Sequence, residues 1–317
     1  MQAVILAAGR GTRLGALTRN RSKAMLPILG QPIFVRVMET LADPLVEEFI
    51  IVVSPGDKEI KNFVTRNQPF DGMVRLVEQP EPLGSGAALH CAAPYLHGDF
   101  LLSACDNLLP PTKVKRMLAC WNEGHDLEAI LTLMPVREEQ VSSTGIVAVE
   151  GDWVIDIVEK PTFEEAPSSI ASLPLYCFSR NILKYLPLIS RSRRGEYELQ
   201  DAIRLLIREH GQVRGLRVQD RFTLTTAQDL LAINMQYLEV QHETVLHETV
   251  QVGKYTQIST PVYIEKDTIL GSNCRIGPSV YIESGCRIGD GASVRDTVIL
   301  RGTQVQAGAS LRETVLF

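Results

Sequence analysis

The chain has 317 residues, of which 45% are hydrophobic and 22% are charged, and its formal net charge is −5 at pH 7. That apolar content is enough for one large domain with a hydrophobic core and a smaller second domain. The acidic balance, without a basic stripe, argues against nucleic acid as a partner, and the lack of any run of about 18 apolar residues argues against a membrane span.

The N-terminus and the cysteines both predict a cytoplasmic protein. Residues 1–4 lead directly into an apolar segment, with no basic n-region and no cleavage site, so we expect no secretory signal. The cysteines form no CxxC pair, and most of them lie in apolar segments. They are Cys91, Cys105, Cys120, Cys177, Cys274 and Cys286. This pattern predicts reduced core thiols rather than disulfides or a zinc site.

Apolar strand-like runs alternate with amphipathic segments from residue 2 to residue 105. Residues 2–7 predict a buried strand, and residues 8–31, rich in Gly, Arg, Asn and Pro, predict a long loop. The strands predicted next are 48–54, 74–78 and 100–105, and the helices are 33–41, 57–66 and 85–93. This alternation indicates a parallel α/β sheet with helices on both faces.

After residue 105 the pattern changes to strands with few helices between them. The predicted strands are 129–135, 145–150, 153–159 and 173–178, and helices return at 198–209 and 227–240. We take residues 1–240 as one domain and residues 241–250 as a linker.

An aliphatic residue recurs at every sixth position of the C-terminal segment. The positions are Ile264, Leu270, Ile276, Ile282, Ile288 and Val294. The register slips after Val294 and resumes at Val305 and Leu311. Stacked triangular coils of a parallel β-helix require this hexapeptide period, so we predict a short left-handed β-helix over residues 251–317.

A glycine-rich segment, residues 6–14, follows the first predicted strand. Glycines let backbone N–H groups approach phosphate oxygens, and Arg13 and Lys23 add cationic donors. The segment is neither a Walker A loop nor a GxGxxG fingerprint. On these residues alone, a phosphate-binding loop and an ordinary surface loop remain equally good interpretations.

Residues 5–27 read ILAAGRGTRLGALTRNRSKAMLP and closely resemble the signature of sugar nucleotidyltransferases, LAAGxGTRLxPLTxxxxKxMLP. The ten-residue spacing between Arg13 and Lys23 resembles that of the glucose-1-phosphate thymidylyl- and uridylyltransferase branch. Ala16 replaces the proline that is usual in the signature. The resemblance covers nearly the whole chain, including a β-helix tail. It implies a Rossmann-like core, a Mg²⁺ ion and a displacement that releases pyrophosphate.

The resemblance also implies roles at the nucleotide end. Arg13 would stabilise the departing pyrophosphate, Lys23 the charge on the α-phosphate, and Asp106, at the end of a predicted strand, would hold Mg²⁺. Gln79 lies five residues before Gly84, and its amide offers a donor and an acceptor to uracil or thymine. The implied nucleotide-binding residues are Leu6, Ala7, Ala8, Gly9, Gly11, Thr12, Gln79, Gly84 and Ser85.

At the sugar end, Gly145 and the run from Glu159 to Pro161 resemble the family's YG…EKP elements. By that resemblance Glu159 accepts hydrogen bonds from sugar hydroxyls, and Lys160 faces the sugar phosphate.

The predicted reaction makes an NDP-sugar and pyrophosphate from UTP or dTTP and a sugar 1-phosphate. We also predict a homo-oligomer, a dimer or trimer, with the β-helix in the interface.

Three later positions depart from the family pattern. The family's Asn-Ala-Gly-Ile-Tyr becomes residues 172–176, with Ser172 and Pro174, and Gln200 replaces the usual Thr. Thr223 aligns with the family's second metal-binding carboxylate, so the predicted metal site has one negative charge fewer than the family pattern. These departures leave open an alternative, a catalytically weak or inactive regulatory subunit that binds a nucleotide or a nucleotide sugar.

Overall fold

The structure, a computed structural model, describes residues 1–9, 11–67, 73–124 and 126–317. Arg10, within the predicted signature, lies outside the described residues. The chain divides into two compact units that alternate along the sequence. The first contains the described parts of residues 1–10, 22–24 and 34–222, and the second contains residues 11–21, 25–33 and 223–317.

The regular elements are mostly short strands and amphipathic helices. In chain order the strands are β1 (Gln2–Leu6), β2 (Pro27–Ile28), β3 (Gln31–Pro32), β4 (Glu48–Val53), β5 (Val74–Glu78), β6 (Phe100–Ala104), β7 (Asn107–Leu108), β8 (Ala129–Pro135), β9 (Gly145–Glu150), β10 (Trp153–Glu159), β11 (Ile170–Phe178), β12 (Val213–Arg217), β13 (Phe222–Thr223), β14 (Thr244–Leu246), β15 (Gln251–Val252), β16 (Gln257–Ile258), β17 (Val262–Ile264), β18 (Ile269–Leu270), β19 (Arg275–Ile276), β20 (Val280–Ile282), β21 (Arg287–Ile288), β22 (Ser293–Ile299), β23 (Gln304–Val305) and β24 (Ser310–Leu316). The α-helices are α1 (Ile33–Leu41), α2 (Lys58–Asn67), α3 (Ser85–Ala92), α4 (Pro111–Glu123), α5 (Glu138–Val141), α6 (Leu199–His210) and α7 (Ala227–Gln241). None of the described helices is long and apolar enough to cross a bilayer.

A nine-stranded sheet organises the first unit, in the order β5-β4-β1-β6-β11-β8-β12-β10-β9. The predicted parallel pairing is confirmed for β5, β4, β1 and β6. Beyond β6, where the sequence analysis predicted strands without a direction, β11 runs antiparallel to β6 and β8, and β10 runs antiparallel to β9. The two residues 151–152 join β9 to β10, and such a tight connection joins only antiparallel strands.

The core of the first unit lies around this sheet. Val4, Leu102, Leu131, Tyr176 and Phe178 are buried in one apolar cluster. Strands buried in this way read as continuous apolar runs, which is why β1, β4 and β6 were predicted nearly at their observed bounds. All six cysteines lie within the described residues and are free thiols, and Cys105, Cys177, Cys274 and Cys286 are buried.

Several elements of the first unit were not predicted, and α4 and β12 are the longest helix and strand among them. Helix α4 was not predicted, although Val114, Met117 and Leu118 are buried at helical spacing and Pro111 lies in its first turn. Strand β12 was also missed, because its sequence VRGLR contains a glycine and two charged residues.

Parallel strand pairs dominate the second unit after α7. Val262 pairs with Val280 and Gln251 with Ile269, so the partners lie eighteen residues apart, or three of the predicted six-residue periods. The periodic aliphatic side chains, at most 2% exposed, form one apolar cluster. They are Ile264, Leu270, Ile276, Ile282, Ile288 and Val294. The region 244–316 is therefore rich in parallel strands around a continuous apolar interior, and we call it the C-terminal strand region.

The register slip after Val294 has a structural cause. Val294 pairs with Leu311 and Ile288 with Val305, so these partners lie seventeen residues apart instead of eighteen. The repeat from Val294 to Ile299 therefore has five residues instead of six, as does the repeat from Leu311 to Leu316, and the predicted resumption at Val305 and Leu311 is confirmed. The predicted linker 241–250 contains a strand, β14, which pairs with β17.

Candidate functional site

The predicted nucleotide segment begins at the carboxyl edge of the parallel strands. The Ala7 amide donates to the Val52 carbonyl (2.8 Å), and the Leu6 carbonyl accepts from the Cys105 amide (3.1 Å). The Ser54 hydroxyl donates to the Ala8 carbonyl (3.1 Å). Leu6, Ala7 and Ala8 are thus fixed between neighbouring strands, and Gly9 is exposed just beyond them. In open α/β sheets, ligands bind outside this edge.

Lys23 and Asp106 meet at the same edge. Asp106 lies two residues beyond the end of β6, and its carboxylate forms an ion pair with the Lys23 ammonium. The two side chains are only 16% and 13% exposed. Sequence reasoning missed Arg221, which is half-buried nearby. Burial lowers the pKa of Arg221, and the neighbouring Asp106 carboxylate and Tyr176 partly offset that fall.

Gly11, Thr12 and Arg13 belong to the second unit. Gly11 has a φ of +62° and precedes a 3-10 helix that spans Thr12–Thr18. The side chains of Thr12 and Arg13 are exposed. A left-handed residue such as Gly11 turns the chain sharply, and glycine adopts this conformation without strain. Arg13 is therefore a solvent-facing cation directly after that turn.

Gln79, Gly84 and Ser85 are brought together at the start of α3. The buried Gln79 amide donates to the Gly84 carbonyl (3.1 Å). Gly84 has a φ of +97°, and a Cβ atom there would lie 2.7 Å from the Tyr197 carbonyl oxygen, so only glycine fits. The Ser85 hydroxyl accepts from the Leu199 amide (3.2 Å), which ties this helix start to the start of α6.

Two of the predicted sugar residues, Gly145 and Glu159, lie in one row of the sheet together with Ser172. Gly145 pairs with Glu159 on β10 and also with Ser172 on β11. The buried Ser172 hydroxyl donates to the Tyr176 hydroxyl (3.3 Å). Burial raises the pKa of Tyr176 to about 12, so this phenol stays protonated. Glu159, Gly145 and Ser172 therefore form a continuous polar strip next to Tyr176.

Two buried acceptors that border Gly145 have no partner among the described residues. The Glu159 Oε2 and Gln200 Oε1 atoms make no hydrogen bond within the part of the chain that the structure describes. A Cβ atom at Gly145 would lie 3.1 Å from Glu159 Oε2 and 3.1 Å from Gln200 Cγ, so both side chains border the same glycine. Buried oxygens without partners are costly and point to a missing hydrogen-bond donor.

Cations surround the other oxygen of Glu159. Its Oε1 lies 3.4 Å from the Lys160 ammonium and 3.9 Å from the Arg194 guanidinium. Burial raises the pKa of Glu159, and the Lys160 charge partly opposes that rise. Lys160 has a φ of +45°, a conformation that lysine rarely adopts. Sequence reasoning missed Arg194, although the basic run 191–194 before Gly195 was a visible signal.

Pro174, one of the departures from the family pattern, lies at an irregularity of β11. Leu173 pairs with Thr132 and Tyr176 with Leu131, so two residues between them are skipped in the pairing. Proline is tolerated at such bulges because no ladder N–H is required there. The substitution therefore has a structural explanation and leaves the polar strip in place.

The side chains around Asp106 could supply only part of the coordination shell of a magnesium ion, so substrate phosphates and water would have to supply the rest. Among residues 1–9, 11–67, 73–124 and 126–317, no three His, Cys, Asp or Glu side chains gather into a metal-binding group. At nucleotide sites Mg²⁺ commonly takes one or two carboxylates and completes its shell with substrate phosphates and water. Asp106 fits an ion held in this way.

Two protein-family models match the chain. The model described as Nucleotidyl transferase matches residues 2–240, and the model described as GMPPB C-terminal domain matches residues 258–316. The first match spans most of the chain and contains every predicted site residue.

Two curated relatives share about a third of their aligned residues with the chain. UTP–glucose-1-phosphate uridylyltransferase AglF of Haloferax volcanii is 32% identical over 69% of this chain and 88% of its own length. Bifunctional protein GlmU of Methanococcus aeolicus is 31% identical over 84% of this chain. The match spans 61% of that second relative's length.

A solved structure shares the fold. UDP-glucose pyrophosphorylase complexed with UDP-glucose matches with a TM-score of 0.67 and 20% identity, over 75% of this chain and 98% of the solved one. At this identity the likeness shows the mixed α/β nucleotidyltransferase fold alone.

Proposed function

The chain belongs to the sugar nucleotidyltransferase family, and on that premise we propose that it joins the nucleoside monophosphate of UTP or dTTP to a sugar 1-phosphate. The observation that carries this proposal is the pair of buried acceptors, Glu159 Oε2 and Gln200 Oε1, which border Gly145 and have no partner among the described residues. Sugar hydroxyls are the donors that such acceptors require. The Lys23–Asp106 pair supports phosphate chemistry at the strand edge.

The proposed reaction is one in-line displacement. An oxygen of the sugar 1-phosphate attacks the α-phosphorus, a new P–O bond forms, and pyrophosphate leaves with the electron pair of the broken bond. Lys23 stabilises charge on the α-phosphate, Arg13 stabilises the departing pyrophosphate, and Lys160 orients the sugar phosphate. Mg²⁺, held by Asp106, would neutralise part of the triphosphate charge. Gln79 and Gly84 would read the pyrimidine.

Two further parts of the proposal concern architecture. The parallel pairs in steps of eighteen and seventeen residues support a left-handed β-helix for the C-terminal strand region. The domain limits 1–240, 241–250 and 251–317, the dimer or trimer and the cytoplasmic location stay predictions.

Gln200 is proposed to set the sugar preference. Gln200→Thr, which restores the usual family residue, removes the acceptor Oε1 and opens space beside Gly145. We expect kcat/KM for the best wild-type sugar 1-phosphate to fall about tenfold, the cost of one hydrogen bond, with an unchanged KM for the nucleotide. The measurement is initial rates over a panel of sugar 1-phosphates, with Gln212→Thr, an exposed site, as the control. An unchanged sugar preference would contradict this role.

Thr223 distinguishes the enzyme from the alternative, a nucleotide-binding regulatory subunit. Thr223→Asp restores the carboxylate that the family has at this position. Because ligand charge dominates the binding of a hard cation, we expect pyrophosphate release at limiting Mg²⁺ to rise about tenfold. Thr223→Asn, which matches the size of Asp without its charge, is the control and should gain nothing. Initial rates are measured against Mg²⁺ concentration, with nucleotide binding measured in parallel.

Two outcomes of this experiment would change the proposal. If neither wild type nor Thr223→Asp turns over while pyrimidine nucleotides still bind, the regulatory subunit is the better interpretation. If wild type is already fast and Thr223→Asp is no faster, another group such as Asp220 or a water molecule completes the metal shell.

A further inference from the structure

The segment that carries Arg13 belongs to the same compact unit as the C-terminal strand region. Residues 11–21 and 25–33 group with residues 223–317, whereas residues 22–24 do not. Two segments of the predicted signature region therefore belong with residues far away in sequence. We call residues 11–21 the first flank and residues 25–33 the second flank.

Arg21, at the end of the first flank, forms a buried bidentate ion pair with Glu283. Its Nη1 donates to Glu283 Oε2 (3.0 Å) and its Nη2 donates to Glu283 Oε1 (2.8 Å). The side chains are 7% and 10% exposed. Glu283 follows β20 directly, and its Oε2 also accepts from the Arg301 amide (2.8 Å). A fork of two parallel hydrogen bonds fixes direction as well as distance, so Arg21 is held in one orientation.

The second flank, the β2–β3 hairpin, is held by two other residues of the same unit. The fully buried Asn234 of α7 accepts from the Leu29 amide (2.9 Å) and donates to the Pro27 carbonyl (3.1 Å). Gly30 at the hairpin turn lies against Tyr263, because a Cβ atom there would be 2.7 Å from the Tyr263 hydroxyl oxygen. Both flanks are thus anchored by the part of the chain beyond residue 223.

We propose that Glu283 is a positioning residue for nucleotide transfer, which by holding Arg21 fixes the segment 11–21 that presents Arg13 to the triphosphate. This inference rests on the proposed function for the role of Arg13. Glu283 lies 270 residues from Arg13 in the sequence and acts through Arg21 rather than on the substrate.

The experiment uses the full chain with Glu283→Gln, Arg21→Gln and the double variant. The control is Asp296→Asn, which removes a carboxylate paired with Arg295 (3.1 Å) in the same region. Asp296 has a φ of +46°, which asparagine tolerates well. Two readouts are measured: amide hydrogen exchange over residues 11–21, and kcat and nucleotide KM per folded enzyme.

We expect Glu283→Gln to speed exchange over residues 11–21 and to lower kcat about tenfold to a hundredfold, with a smaller change in nucleotide KM. The double variant should recover part of both effects, because two amides can pair with each other. Asp296→Asn should match wild type. If Glu283 contributed only to the overall stability of the fold, the double variant would not recover exchange or kcat.

Normal exchange and normal kcat in Glu283→Gln would overturn the proposal. So would a lower melting temperature with unchanged kcat per folded enzyme. If wild type shows no turnover, the proposed function fails separately, and the readout becomes the protection of residues 11–21 by UTP or dTTP. Loss of that protection in Glu283→Gln would then support the positioning role, and its retention would overturn it.

Discussion

Replacing Lys23 by alanine is expected to lower kcat for pyrophosphate release about a hundredfold to a thousandfold and to leave nucleotide affinity nearly unchanged. The ammonium is largely buried against Asp106 at the strand edge, where a fixed charge stabilises a developing phosphate charge more strongly than water does. An interaction made mainly in the transition state affects kcat more than binding. The measurement is steady-state kinetics together with calorimetric binding of UTP and dTTP.

A matched control is available for this variant. Lys61→Ala removes a lysine that forms a more exposed ion pair with Glu78 and has no predicted role in the site. It should keep wild-type kcat. Wild-type turnover in Lys23→Ala, or an equal loss in both variants, would show that Lys23 has no special role.

Glu159→Ala is expected to lower kcat/KM for the sugar 1-phosphate about a hundredfold without changing the KM for the nucleotide. The variant removes a buried carboxylate whose Oε2 has no other partner in the described chain, and hydrogen bonds to charged groups are worth more than neutral ones. The exposed Glu164→Ala in the same segment should behave as wild type. A loss confined to nucleotide KM would contradict the assignment of Glu159 to the sugar.

The same carboxylate predicts a pH dependence. Burial raises the pKa of Glu159 above its ordinary value. The ionised form accepts from sugar hydroxyls, so kcat/KM for the sugar 1-phosphate should fall as pH drops through this raised pKa, at a higher pH than for an exposed glutamate. Glu159→Gln, which cannot ionise, should have a lower rate without this acidic limb. An identical acidic limb in Glu159→Gln would show that another group titrates.

The sequence predicted the fold where periodicity was simple. The apolar runs at β1, β4 and β6 belong to strands buried on both faces, and the six-residue aliphatic spacing from Ile264 to Val294 marks one apolar interior. Both patterns are confirmed. The antiparallel half of the sheet was missed, because strand direction depends on long-range pairing such as β11 with β6. Local patterns carry no information about that pairing.

The residues of the candidate site that lie in family motifs were predictable from the sequence, whereas those outside the motifs were not. Gly145, Glu159 and Lys160 were named by resemblance, and the structure brings Gly145 and Glu159 into register. The contributions of Arg194 and Arg221 depend on burial and on neighbours far away in sequence. The Arg21–Glu283 pair joins residues more than 200 positions apart, and no spacing rule reaches that far.

The most direct test of the central claim is pyrophosphate release with Mg²⁺, each of the four common NTPs and dTTP, and a panel of sugar 1-phosphates. We expect release only when both substrates are present, with kcat/KM for UTP or dTTP at least about a hundredfold above that for ATP and GTP, because we propose that the Gln79 amide pairs with a pyrimidine edge. Saturation by ATP at least as tight as by UTP and dTTP would contradict the base assignment. No release with any pair, while pyrimidine nucleotides bind, would contradict the proposed activity itself.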